Sequence, residues 1–165
     1  MLDLAIEEVR EYFKQFNKEN DVVEHEVSSA TVELAAKALN VIPARIAKTL
    51  SFKINDSAIL VVAAGDTKID NKKFKAEFGC KAKMLTPEEA LEFTGHAVGG
   101  ICPFALKNNI SVYLDESMKR FETVFPAAGS SNSSIELTCE ELSKYSNCAK
   151  WVDVCKGYEM NSMEY

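Results

Sequence analysis

The chain has 165 residues, 47% of them hydrophobic and 27% charged, the composition of one globular domain with a full core. Its longest apolar run, residues 58–64, is far short of the roughly 20 residues of a membrane span, and its acidic start does not read as a signal peptide, so a cytoplasmic protein is expected. The net charge of -6 argues against nonspecific nucleic-acid binding by the molecule as a whole.

Ile6, Val9, Phe13 and Phe16 recur at helical spacing between charged residues, which predicts an amphipathic surface helix over 2–16. Residues 22–27 read as a strand. Ser29 and Thr31 precede a helix over 32–39, and Pro43 opens a short helical turn that runs toward Lys48. Residues 48–54 alternate, Asn55-Asp56-Ser57 makes a turn, and 58–64 is continuously apolar, the signature of a hairpin with a buried second strand. A helix over 70–78 ends at a capping Gly79, and a short strand over 81–85 follows. Thr86, Pro87 and Glu89 supply an N-cap, a first-turn proline and a capping-box partner for a helix that ends at Gly95. Strands are predicted over 110–114, 123–127 and 135–137, and Thr138 with Glu141 caps a further helix. Strands and helices alternate without a repeating βαβ unit. The expected fold is therefore an α/β protein of the α+β type: a single domain over 1–157 with a mixed, largely antiparallel sheet flanked by helices, and a frayed tail over 158–165.

Charge is unevenly placed. Residues 37–83 hold ten basic and four acidic residues, a net of +6 that leaves -12 for the remainder. That asymmetry fits a face that meets a polyanion, and it fits a solvated lysine-rich surface equally well. Cys80, Cys102, Cys139, Cys148 and Cys155 are an odd set with no CxxC pair, and only His25 and His96 could add imidazole. Neither a metal site nor a disulfide framework is expected; the cysteines read as small apolar side chains.

The stretch 95–104, Gly-His-Ala-Val-Gly-Gly-Ile-Cys-Pro-Phe, is the most informative. Two adjacent glycines and a proline build either an ordinary turn or a loop whose N–H groups can approach a carbonyl or phosphate closely. No GxGxxG or P-loop lysine accompanies it. Lys48, at the start of its predicted strand, is either a surface lysine or an ammonium projecting into a cleft as a fixed charge and donor. Cys102 with His96 leaves a thiol enzyme open, although no Cys-His signature surrounds them, and no GxSxG elbow marks the serines at 130–134.

Taken in order, several segments make the chain resemble the YbaK/ProX family. They are Lys48-Thr49-Leu50, Val61-Val62-Ala63-Ala64-Gly65-Asp66, Asp70-Asn71-Lys72-Lys73-Phe74, the loop 95–104, Val112-Tyr113-Leu114-Asp115 and Ala127-Ala128-Gly129. The likeness runs over about 7–154. Members of that family are aminoacyl-tRNA deacylases related to the insertion domain of bacterial prolyl-tRNA synthetase. The resemblance implies a mixed sheet with a cleft and trans editing of mischarged aminoacyl-tRNA, tRNA(Pro) carrying alanine or cysteine first, with no metal, cofactor or covalent intermediate. Water or the 2′-hydroxyl of the terminal ribose is the implied nucleophile. By the same likeness Lys48 matches the family's essential lysine, and Gly99, Gly100, Ile101, Cys102 and Pro103 match its GxxxP substrate loop. His96, Gly129 and Ser130 join them as expected substrate contacts, and Arg45, Lys72, Lys73 and Lys75 are the expected tRNA contacts.

Such chemistry makes modest demands, because an aminoacyl ester is already activated and the protein need only hold the 3′ terminus and stabilise oxyanion charge. His96 stands where an aromatic such as tyrosine is common, Cys102 where serine is frequent and Ala105 where glycine is common; the turn 129–134 also lacks basic residues that some relatives carry. These departures bear on amino-acid preference rather than reaction class. The implied partner is aminoacyl-tRNA, with a synthetase as an optional second; oligomeric state is open. Two competing readings are a catalytically silent tRNA- or synthetase-binding module of the same fold and a thiol enzyme using Cys102.

Overall fold

The computed structural model describes residues 4–159 of the chain. The first helix, α1 (Leu4–Phe13), runs on into a 3-10 turn at Lys14–Phe16, with Ile6, Val9 and Phe13 buried as the spacing requires. The first residues of the predicted helix lie outside the described residues. Only β1 (Val23–Glu24) forms in the predicted strand 22–27, because its antiparallel partner, Ser133–Ser134, is equally short. Thr31 caps α2 (Val32–Leu39) by accepting from the Leu34 N–H at 3.1 Å, and the expected turn forms at Pro43–Arg45.

The central hairpin is β2 (Ile46–Ile54) and β3 (Ser57–Ala64), joined by a two-residue turn with Asn55 in the left-handed region at φ 55°. β2 begins two residues before its predicted start, so Lys48 is its third residue rather than its first. After β4 (Lys68–Ile69), Asp70 caps α3 (Asn71–Phe78) by accepting from the N–H groups of Lys72 and Lys73, and Gly79 closes it at φ 76°. The predicted strand 81–85 is reduced to one bridge, Phe52 to Met84. Immediately afterwards the chain enters the capping box of α4 (Pro87–Thr94), which leaves no length for a ladder. β5 (Ser111–Asp115) and β6 (Thr123–Pro126) form near their expected places. The predicted strand 135–137 is divided between β7 (Ser133–Ser134) and β8 (Leu137–Thr138), ahead of α5 (Cys139–Tyr145), β9 (Lys150–Val152) and β10 (Cys155–Lys156).

Six strands form one mixed sheet in the order β8-β6-β2-β3-β5-β9. Its central hairpin and its β6–β8 edge are antiparallel, whereas the other three of its five junctions are parallel. That parallel share exceeds what the hairpin pattern suggests. Two of the three parallel junctions arise because helices lie between β3 and β5 and between β5 and β9, and such crossovers return the chain in the same direction; the third joins β2 to the later β6.

From Ala58 to Ala64 β3 is continuously apolar because both of its faces are covered. Leu60 and Val62 join Phe13, Phe104 and Leu114 on one side, while Ile59 and Val61 join Phe52, Phe74 and Val152 beneath α3 on the other. Tyr158, the first residue of the tail expected to fray, has its ring centroid 4.7 Å from the Arg120 guanidinium; 160–165 lie outside the described residues.

Candidate active site

β2 makes a gap for the site. Its outer edge pairs with β6 at Ile46 and Ala47 and meets the 83–85 segment from Ser51 to Lys53. Between those two pairings a cleft of about 440 Å³ opens, walled by the start of α2, the loop at Val98 and Gly99, Met84 and Leu85, and Phe125. The wall is mostly apolar. Among the described residues Lys48 is the only ionisable side chain in it.

Lys48 is half-buried, and its ammonium donates to the Thr67 carbonyl. Burial lowers its pKa, against the opposing pull of Cys155, Asp66 and Glu33. Gly65 places the turn that carries Thr67, since a Cβ there would lie 2.1 Å from the Pro43 carbonyl oxygen. Asp66 locks the same turn through a bidentate ion pair with the buried Arg120, at 2.6 and 2.8 Å. Thus Lys48 is held by a turn that is itself fixed twice over.

The loop 96–104 supplies the opposite wall through Val98, Gly99 and Ile101. Gly100 packs so closely on the 129–130 turn that a Cβ would lie 2.8 Å from the Ser130 Cα. His96 is fully buried and its Nε2 donates to the Phe104 carbonyl at 2.8 Å, bracing the loop from within. Cys102 Sγ lies 3.5 Å from the same Nε2, so the structure does bring the thiol and imidazole together. Burial pushes the Cys102 thiol up to about 12 and leaves it no exposure, which makes it a poor nucleophile.

Of the expected substrate residues, Lys48, Gly99 and Ile101 line the cleft. His96, Gly100, Cys102, Pro103, Gly129 and Ser130 are buried outside its lining, in the layer that supports it. Among the expected tRNA contacts, Lys72 and Lys75 are exposed on α3. Lys73 instead donates to Asp153 and to the Cys155 carbonyl, each at 3.0 Å. Arg45 is turned inward, bonded to Thr123 and Glu136 with its guanidinium 5.0 Å from the Phe125 ring. Sequence reasoning missed Thr49 and Ser51 as cleft residues; alternation along a strand with an open edge was the available signal.

These features describe a class: a small α+β domain with an edge cleft, one embedded lysine and a glycine-rich wall. Residues 26–145 match the model of the aminoacyl-tRNA editing domain, and the chain belongs to that family. It is 58% identical to YwhH of Bacillus subtilis over 157 residues, 94% of this chain and all of that one. It is 29% identical to EbsC of Enterococcus faecalis, named as a candidate Cys-tRNA(Pro)/Cys-tRNA(Cys) deacylase, over 71% of this chain and 73% of EbsC. The proline–tRNA ligase of Thermosipho melanesiensis is 33% identical over 66% of the chain, which spans only 19% of that enzyme's length. In three dimensions the chain superposes with a TM-score of 0.85 on a crystal structure described as a candidate trans-editing enzyme for prolyl-tRNA synthetase, 27% identical, covering 95% of this chain and all of that one. Among the described residues no group of three His, Cys, Asp or Glu could hold a metal ion, and no helix is long and apolar enough to cross a membrane.

Proposed function

We propose that the chain is a cytoplasmic trans-editing hydrolase that removes the wrong amino acid from aminoacyl-tRNA, with alanyl- and cysteinyl-tRNA(Pro) as first candidates, by metal-free ester hydrolysis centred on Lys48. The observation that carries this reading is the half-buried Lys48, the single ionisable side chain among the described residues of a cleft otherwise walled by apolar and hydroxyl groups. Hydrolysis adds one water across the ester, its oxygen to the acyl carbon and its proton to the departing ribose oxygen. Negative charge develops on the acyl oxygen in between. An ammonium held in a poorly solvated wall stabilises that charge far better than it would in water.

The test is single-turnover deacylation of alanyl-, cysteinyl-, seryl- and prolyl-tRNA by wild type, Lys48→Ala and Lys48→Arg. Loss of the ammonium should cost about 100-fold or more, the scale of one preorganised donor. Arginine keeps charge but not geometry and should also be impaired. Because burial lowers the Lys48 pKa, the catalysed component should fall on the alkaline side at a pH below the ordinary lysine value of 10.5. In folding the sign is opposite: the charged ammonium opposes folding at neutral pH, and that penalty fades as pH rises through its lowered folded value toward the unfolded one. A wild type inactive across the panel, or Lys48→Ala within threefold of it, refutes the reading.

A further inference from the structure

The open stretch of β2 has a specific chemical pattern. The two-residue turn sets Ile54, and with it Leu50 and Lys48, in the hydrogen-bonded register with β3. Ala47, Thr49, Ser51 and Lys53 therefore direct their N–H and C=O groups outward. Ala47 is matched by β6, the Ser51 carbonyl accepts from Leu85 at 3.1 Å, and the Lys53 N–H donates to Lys83 at 2.8 Å. Thr49 alone among these four has neither backbone group paired among the described residues. Its Oγ1 is buried and has no hydrogen-bond partner there either. Buried hydroxyls are rarely left this way, and this one belongs to a residue that lines the cleft.

An aminoacyl group carries the complementary pattern, with an amine donor on one side of its α-carbon and an acyl carbonyl acceptor on the other. It has the polar layout of one peptide residue, so it can lie against a strand edge as a single added strand residue. Its ammonium brings further donors. No carboxylate stands among the described lining residues to meet them, whereas Thr49 offers two acceptors, C=O and Oγ1.

Resting on the deacylase reading, we propose that Thr49 is the residue that recognises the aminoacyl moiety. Its C=O and Oγ1 receive the α-amine, and its N–H donates to the acyl carbonyl. The amine is thus part of what the cleft selects, and a simple acyl ester is disfavoured.

The experiment compares alanyl- and cysteinyl-tRNA(Pro) with their desamino counterparts, propionyl- and 3-mercaptopropionyl-tRNA(Pro), for wild type, Thr49→Val and Thr49→Ser, with thermal unfolding alongside. Wild type should favour the aminoacyl ester by tenfold or more, the scale of a hydrogen bond to a charged group. Thr49→Val, which keeps the shape and removes Oγ1, should cut that preference severalfold, chiefly in KM, and Thr49→Ser should restore it. A merely structural role would lower both esters together. Wild type that is active but indifferent to the amine, or Thr49→Val with undiminished preference, overturns the assignment of Thr49 alone. Wild type inactive on both aminoacyl esters overturns the deacylase reading and this proposal with it.

Discussion

Gly100 offers the sharpest test of how the cleft is held. An alanine Cβ at that position would lie 2.8 Å from Ser130 C and Cα and 2.9 Å from its N, all backbone atoms. The near limit of ordinary contact is 3.4 Å, so the two segments must part by roughly 0.6 Å. Overpacking of this kind costs about 1–3 kcal/mol, which for a domain of this size lowers Tm by about 2–12 °C. Since the 98–101 segment forms one wall, displacement on that scale should cost about 100-fold in single-turnover deacylation. Gly79→Ala is the control. Gly79 sits at φ 76° with nothing within 4 Å of its added Cβ, so alanine there carries only the left-handed backbone penalty, about 1–2 kcal/mol. It should lower Tm comparably and leave turnover unchanged. Gly100→Ala with turnover within threefold of wild type would refute the idea that the packing of this loop on the 129–130 turn shapes the site.

Cys102→Ser should keep turnover within about threefold, and Cys102 should alkylate far more slowly than the partly exposed Cys80, because its thiol is buried and pushed up to about 12; overnight EDTA should leave turnover unchanged, and a drop in either test would restore a thiol or metal mechanism. Lys72→Glu with Lys75→Glu should weaken tRNA binding, measured by a salt titration, and flatten its slope by about 0.9 for each phosphate that is no longer neutralised. Lys73→Glu should instead lower Tm modestly, since it breaks a partly exposed pair with Asp153 and strips a donor from the Cys155 carbonyl; unchanged tRNA affinity in the double variant would move the tRNA to another face.

Local signals were legible wherever one residue type dictates a local geometry. The capping boxes at Thr86 and Thr138, the Gly79 cap and the Asn55 turn all stand where side-chain chemistry puts them. Strands of two or three residues, such as β4, β9 and β10, carry too short a pattern to be read and exist because neighbouring strands pair with them. The same distinction separates the lysines of α3: Lys72, Lys73 and Lys75 lie in one basic segment, but only the fold pairs the partly exposed Lys73 with Asp153.

Short-range signals along the chain were enough for the central hairpin and most helix ends, because caps, turns and glycines act over a few residues; the family, and with it Lys48 and the Gly99-Gly100 loop, came from the resemblance of ordered segments along nearly the whole chain. It took the folded chain to bury His96 and Cys102 as struts behind the cleft wall, and to leave Thr49 facing the cleft with its edge unpaired among the described residues. Those outcomes depend on which distant segments cover a residue: β6 and the 83–85 segment both approach β2 yet stop short of the edge at Thr49, a consequence of long-range pairing that no local pattern encodes.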